Sequence, residues 1–161
     1  MKKLHLRLFS RPELVIPPFG PVSVRFQIPP RYDGYVVQRA KVHLFAEHDC
    51  PSDLSIYLEA PSHRRVELFY RDDQPDWSIA LVRDCTDALR HLPVSGTWFI
   101  IFDDLVPIDG GIIREVGLYI LATKPSLFNS TRFFDHYISD PADLFLTRPK
   151  HHTKTFQPFN P

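Results

Sequence analysis

The side chains with the clearest chemical potential in this sequence are carboxylates near two loops. Asp103, Asp104 and Asp109 lie within and beside a turn-rich stretch, and Asp49 and Asp53 flank an earlier loop. Calcium takes about six to eight oxygen ligands from carboxylates and loop carbonyls, so these aspartates are candidate calcium ligands. The competing interpretation is that Asp104 and Asp109 accept hydrogen bonds from backbone amides and cap the turn. We favour the capping interpretation and predict no cofactor, with calcium as the alternative.

Residues for nucleophilic catalysis form no recognisable pattern. A serine protease needs a nucleophile, a base and an orienting acid, and the subtilisin-type segments His-Gly-Thr and Gly-Thr-Ser are missing from this sequence. Cys50 and Cys85 are the only cysteines, and without a Cys-x-x-Cys spacing a structural zinc site is not expected. We predict that the chain is not an enzyme and that its cysteines are buried free thiols, unless the fold brings them together as a disulfide.

The charge balance argues against a general role in binding nucleic acid or a membrane surface, although local patches remain compatible with it. Basic and acidic residues number 19 each, whereas binding to nucleic acid or to a membrane surface needs a positive field. No apolar run approaches the roughly 20 residues that span a bilayer. His5, Arg7 and Arg11 interrupt the apolar run that a signal peptide requires. We therefore expect cytoplasmic synthesis without a signal peptide, and neither a nucleic-acid nor a membrane partner.

The alternation of apolar and polar residues predicts the β-strands that must position the candidate side chains. Val22, Val24, Phe26 and Ile28 share one face of a half-buried strand, and other segments repeat the same two-residue period. About eight short strands with turns every 8–12 residues predict an all-β fold, an antiparallel β-sandwich of jelly-roll type. The predicted strands cover residues 4–8, 22–28, 36–46, 53–60, 66–70, 77–82, 98–102 and 114–121.

The chain divides into three predicted parts. Residues 1–14 form an N-terminal arm or edge strand, residues 15–124 form the sandwich, and residues 125–161 form a C-terminal arm rich in phenylalanine and proline. The C-terminal arm has aromatic anchors but no second face to bury them against, so it must lie on the domain or on a partner chain. The residues predicted to bind that partner are Phe133, Phe134, Phe145, Phe156 and Phe159.

Four segments occur in the same order as in one known module. They are residues 53–62, Val66-Glu67-Leu68, Asp76-Trp77, and Ser95-Gly96-Thr97-Trp98 followed by Asp104, Pro107, Asp109, Gly111 and Ile113. In these segments the chain resembles the P domain, also called the Homo B domain, of proprotein convertases and bacterial subtilases. The resemblance extends from about residue 15 to residue 123 and implies a standalone module, because the protease that P domains accompany is not part of this sequence.

The resemblance implies a sandwich whose gap is filled by large aromatic side chains. Two tryptophans and two aliphatic residues are expected in the core, and two glycines are expected at turns where a side chain would clash. Asp104 and Asp109 fall on acidic positions of the family pattern, and some bacterial members bind calcium. The residues predicted to hold the fold together are Trp77, Trp98, Leu54, Ile56, Gly96 and Gly111.

These observations lead to two hypotheses about function. The first is a non-enzymatic structural or interaction module that joins other chains through its C-terminal arm in a multi-chain particle, such as a capsid, decoration, neck or tail component of a virion. Its basis is the missing catalytic partner, the interrupted N-terminal run and the aromatic arm. The alternative is an accessory domain of a protease system that binds glycan or protein and is stabilised by calcium.

Overall fold

Segments in which apolar and polar residues alternate form a series of antiparallel strands. The structure is a computed structural model that describes residues 2–71 and 77–125. Within those residues the α-helix α1 is a single turn at Thr86–Leu89, and no helix is long and apolar enough to cross a bilayer. The strands are β1 (Lys2–Ser10), β2 (Leu14–Ile16), β3 (Gly20–Ile28), β4 (Val36–His48), β5 (Leu54–Glu59), β6 (Arg65–Tyr70), β7 (Ser78–Asp84), β8 (Gly96–Asp104) and β9 (Gly111–Lys124).

The strands form two sheets that share one core. The first sheet has the order β1-β9-β4-β7, with the short β2 also paired to β9, and the second sheet has the order β3-β8-β5-β6. All pairs are antiparallel, so the predicted all-β antiparallel sandwich is confirmed. The N-terminal residues form an edge strand of the first sheet, in register with β9 from Lys2–Lys124 to Ser10–Val116.

The core lies between the inner faces of the two sheets. Trp98 and Phe102 in β8 point inward and are fully buried, as are Leu54 and Ile56 in the neighbouring β5. Trp98 Nε1 donates a hydrogen bond to the carbonyl oxygen of Val94 at 2.9 Å. The polar atom of the indole is therefore satisfied inside the core, and the ring fills the gap between the sheets.

The prediction that Trp77 packs in the core is wrong, because its side chain is 73% exposed. The ladder between β4 and β7 ends at the Glu47–Ser78 pair, one residue short of Trp77. The two-residue alternation that turns Ile79 inward therefore does not extend to this position. The carbonyl oxygen of Trp77 accepts a hydrogen bond from His48 N at 2.8 Å, which fixes the backbone and leaves the indole at the surface.

Two glycines allow close approaches that a Cβ atom would prevent. Gly96 has a φ angle of +115°, and a Cβ there would lie 2.7 Å from the Cβ of Pro61. Gly111 pairs with His48 at the end of β4, where a Cβ would lie 2.2 Å from the carbonyl oxygen of Glu47. Gly111 thus lets the start of β9 lie tightly against the end of β4, beside the candidate site described next.

Both cysteines are free thiols in this fold; Cys85 is buried as predicted, whereas Cys50 is only half-buried. Cys85 lies between β7 and α1, and its backbone N–H donates to the carbonyl oxygen of Ala40 at 2.9 Å. Burial, with a smaller contribution from the charge of Asp84, raises the pKa of the Cys85 thiol to about 11. This thiol therefore stays protonated and weakly nucleophilic at neutral pH.

Candidate protein-binding site

Two connections meet at one end of the sandwich, and backbone hydrogen bonds join them. Asp49 N donates to the carbonyl oxygen of Gly110 at 3.0 Å, and Leu105 N donates to that of Asp53 at 3.1 Å. These bonds satisfy backbone groups that would otherwise need water, and they hold the connections as one unit. We call this region the loop end; it consists of residues 49–53, residues 105–110 and Trp77.

A buried histidine–aspartate pair lies beneath the loop end. His48 Nε2 lies 3.2 Å from Asp104 Oδ2, and both side chains are fully buried. Asp104 Oδ1 also accepts a hydrogen bond from Val106 N at 3.0 Å. The other ring nitrogen of His48 lies 3.2 Å from the backbone N and 2.9 Å from the backbone O of Cys50. Because a buried carboxylate is costly without partners, this network fixes both loops to the strands that carry them.

The two calcium candidates lie in different settings. Both oxygens of Asp104 are engaged, so Asp104 takes the capping role that the sequence favoured. Asp109 lies instead with Cys50 and Asp53, in a half-buried group whose ligand atoms are within 4.8 Å of one another. A cysteine sulfur is a soft ligand that suits calcium poorly, since calcium prefers oxygen. For Asp109, capping of the turn stays the prediction and calcium binding the alternative, and Asp104 is not part of that group.

A cleft of about 580 Å³ opens beside the buried pair. The indole of Trp77 lies at this cleft and is largely exposed to solvent. Two apolar residues of the same loop end, Ile108 and Leu105, are 81% and 36% exposed. The loop end therefore combines a buried, hydrogen-bonded pair with exposed apolar side chains around it. The residues that line the cleft are Glu47, His48, Asp49, Trp77, Ser78, Gly110, Gly111 and Ile112.

An ion-pair network borders the cleft on the side of the first sheet. Arg114 donates to Glu47 Oε2 at 2.8 Å and also pairs with Glu13. The hydrogen bond from the Arg114 guanidinium lowers the pKa of Glu47, and the two carboxylates raise the pKa of Arg114. All three side chains are partly exposed, so the network orients the cleft wall more than it stabilises the fold.

The loop end brings together only part of the residues that the sequence singles out. Asp104, Asp109, Gly111 and Trp77 lie at or beside it, whereas Gly96 lies at the opposite end of β8. The predicted partner-binding residues of the C-terminal arm lie outside the described residues. They are Phe133, Phe134, Phe145, Phe156 and Phe159.

The buried position of His48 is indicated by the sequence pattern, but its partner is not. His48 continues the alternation of Val42, Leu44 and Ala46, which predicts an inward side chain that needs a polar partner. Nothing local identifies Asp104 as that partner, because the two residues are 56 positions apart. Their meeting depends on the register of strands that do not follow one another in the chain.

Comparison with known proteins identifies the fold. No protein-family model and no curated protein matches the chain. A crystal structure of the Aeromonas sobria serine protease is similar at 15% identity and a TM-score of 0.56, covering 76% of this chain. A structure of that protease in complex with its chaperone ORF2 matches at 14% identity and a TM-score of 0.57, covering 78%. This chain spans 28% of each matched chain, and the likeness is one of β-sandwich fold.

Proposed function

We propose that this chain is an accessory, non-catalytic β-sandwich domain of a proteolytic system, and that its loop end binds a protein partner. Two features support the accessory role: the chain resembles P domains in sequence, and its fold is similar to part of the Aeromonas sobria serine protease. The observation that carries the assignment of the site is Trp77, whose indole is 73% exposed beside a rigid cleft.

An exposed indole on a fixed support favours association. Tryptophan is enriched among the residues that dominate interface energies, and removal of apolar surface from water contributes about 25 cal/mol per Å². The loops are already held by backbone bonds such as that from Asp49 to Gly110, so little conformational entropy is lost when a partner binds. Ile108 extends the apolar surface that a partner can cover.

The setting of His48 supports a structural role for the buried pair. In a catalytic triad the histidine stands between an acid and a nucleophile. Here one ring nitrogen contacts Asp104, and the other contacts the backbone of Cys50. Both side chains are closed to solvent, so the pair supports the binding surface from below and takes no substrate.

The hypothesis of a virion component depends on the C-terminal arm, of which residues 126–161 lie outside the described residues. The fold similarities involve a protease and its complex with a chaperone. We therefore retain the second hypothesis from the sequence, the accessory domain, with a protein as the ligand of the loop end.

The test is binding of the purified chain to serine proteases from the same organism, measured by biolayer interferometry. We expect saturable binding to at least one protease, weakened about tenfold or more by Trp77→Ala, as for an interface hot spot. Phe99→Ala is the control, because Phe99 is a partly exposed aromatic residue of β8 that pairs with Arg25 and Glu59, away from the loop end. We expect the control to change Kd by less than about twofold.

Each outcome bears on a different part of the proposal. Binding to none of the proteases contradicts the accessory role. Binding that Trp77→Ala leaves unchanged moves the contact away from the loop end. Turnover of peptide substrates by the purified chain contradicts the non-catalytic assignment.

A further inference from the structure

The outward face of the first sheet presents side chains in register across four strands. Phe9 in β1 pairs with Gly117 in β9, Gly117 pairs with His43 in β4, and His43 pairs with Val82 in β7. The next rows repeat the arrangement toward the far end from the loop end. We call these rows the open face; its residues are Phe9, Gly117, His43 and Val82, then Arg7, Tyr119, Lys41 and Asp84, then His5, Leu121 and Arg39.

The imidazole of His43 is built into the open face. It occupies space that Gly117 leaves free, since a Cβ there would lie 2.1 Å from the ring. Its ring centroid lies 5.7 Å from that of Phe9 and 5.4 Å from that of Tyr119, and its Nε2 lies 3.1 Å from Glu115 Oε1. The three rings therefore form one continuous surface that rests on the backbone of β9.

One half of the open face is apolar. Phe9 is 49% exposed, Val82 is 72% exposed and Tyr119 is 38% exposed. A cavity of about 550 Å³ lies among these side chains and His43, and Lys41 and the ion pair of Arg11 with Glu115 also line it. Clustered exposed apolar side chains on a folded domain mark an interaction site, whereas scattered ones do not.

The other half of the open face is cationic. Arg7, Arg39 and Lys41 line an adjoining cavity of about 220 Å³. Asp84 is the carboxylate of this half, and it pairs with Lys41 at 3.9 Å while both side chains remain 56% exposed. On a chain whose formal net charge is zero, this half concentrates positive charge next to the aromatic surface.

We propose that the open face binds a polypeptide segment that carries acidic residues beside an apolar or aromatic anchor. The cationic half attracts and orients the acidic residues, and the surface formed by Phe9, His43 and Val82 buries the anchor. This inference goes beyond the proposed function, because both the face and the ligand differ from the loop end and its protease partner.

The arrangement favours a polypeptide over a uniform polyanion. A nucleic acid carries a charge at every repeat and matches a continuous cationic track, whereas the cations here cover one half of the face. Alternate side chains of an extended peptide lie about 6.6–7 Å apart, as do successive rows of a sheet. A peptide along the strands can therefore place its anchor against Phe9 or Val82 and its carboxylates near Arg7 and Arg39.

The probe is a phage-displayed library of random 12-residue peptides selected on the full chain. We expect enrichment of peptides that combine aspartate or glutamate with an aromatic or aliphatic residue, and binding of the consensus peptide in fluorescence anisotropy. Arg7→Glu with Arg39→Glu should weaken the consensus peptide about tenfold or more, because charge pairs across an interface are reversed. Phe9→Ala should weaken it about fivefold or more through loss of the anchor surface.

Matched variants separate the open face from general effects of charge and apolarity. Arg25→Glu with Arg64→Glu gives the same change in net charge on β3 and on the turn between β5 and β6. Phe19→Ala removes an aromatic side chain that is 65% exposed elsewhere on the surface. Both controls should leave the Kd of the consensus peptide within about twofold.

Several results would overturn the proposal. They are a selection without enrichment over bare beads, a consensus that lacks acidic residues, and a Kd that the open-face variants leave unchanged. Heparin and a 20-nucleotide single strand serve as competing polyanions. If either binds more tightly than the consensus peptide and independently of Phe9, the face is a polyanion site and the inference is wrong.

Discussion

The loop end and the open face differ in the interactions that hold their exposed side chains in place. At the loop end, buried hydrogen bonds of His48 and Asp104 hold the loops, and the exposed Trp77 stands beside them. On the open face, regular strand pairing fixes the backbone. The exposed side chains are held by packing at the surface, such as that of the His43 ring over Gly117. We therefore expect the proposed binding to be coupled to stability at the loop end and separable from it on the open face.

The largest effect is expected when the buried pair at the loop end is broken. Asp104→Ala leaves His48 buried without its partner and the Val106 amide without its acceptor. We expect the free energy of unfolding to fall by about 3–5 kcal/mol, measured by urea denaturation. The adjacent Asp103→Ala on the opposite side of β8 should change it by less than about 0.5 kcal/mol. Similar values for the two variants would show that the His48–Asp104 pair does not stabilise the loop end.

Two glycines of β9 give a matched pair across the two regions. Gly111→Ala drives a Cβ against the backbone oxygen of Glu47, which cannot move away, and we expect a loss of about 1–3 kcal/mol in the free energy of unfolding. Gly117→Ala displaces the ring of His43 from Glu115, Phe9 and Tyr119 but meets no backbone atom, and we expect a smaller loss of less than about 1 kcal/mol. The Gly117 variant should nevertheless lose binding of the consensus peptide. Equal destabilisation by both would show that the open face also carries stability.

A smaller effect concerns acid sensitivity at the cleft. The Arg114 guanidinium holds the pKa of Glu47 below its ordinary value, so the contribution of this pair to stability is present above the ordinary pKa of about 4.3. It is lost as the pH falls through the lower pKa of the folded state. Urea midpoints at pH 7 and pH 3 should differ less for Glu47→Gln than for the original chain. If Glu47→Gln leaves the difference between the two midpoints unchanged, Glu47 does not contribute to the acid sensitivity.

The smallest effect is expected from calcium. Both oxygens of Asp104 are engaged, and Asp109 shares its group with the thiol of Cys50. We expect about 5 mM calcium to raise Tm by less than about 1 °C, because little binding free energy is available to the folded state. A rise of several degrees that Asp109→Asn abolishes would show that Asp109 binds calcium and would make the loop end an ion-dependent surface.

The strands are predictable from the sequence, but their ends are not. The alternation at residues 22–28 identifies β3 because one face of a sandwich strand must be apolar. The pattern at residues 98–102 identifies β8 but stops short of Asp103 and Asp104, which continue the strand because their backbones pair with β3 and β5. Polar residues are compatible with a ladder, so composition alone cannot locate where pairing ends.

The sites are less predictable because they depend on register. The prediction for Trp77 fails because this residue lies one position beyond the ladder between β4 and β7. Outside a ladder, the alternation of side chains no longer determines which side chain is buried. The pairing of His43 with Gly117, and of His48 with Asp104, joins residues far apart in the chain. Each of these residues has an ordinary interpretation by itself, and only the relative placement of β4, β8 and β9 gives it a role.

Lys2 in β1 pairs with Lys124 in β9, so the two ends of the sandwich lie side by side. A module with adjacent ends can be inserted into a surface loop of a host protein through short linkers, without stretching either partner. It can also be circularly permuted, with residues 2 and 124 joined and the chain opened at the exposed hairpin tip around His63. Such a permutant would keep the loop end and the open face, the two proposed binding surfaces, together in one unit.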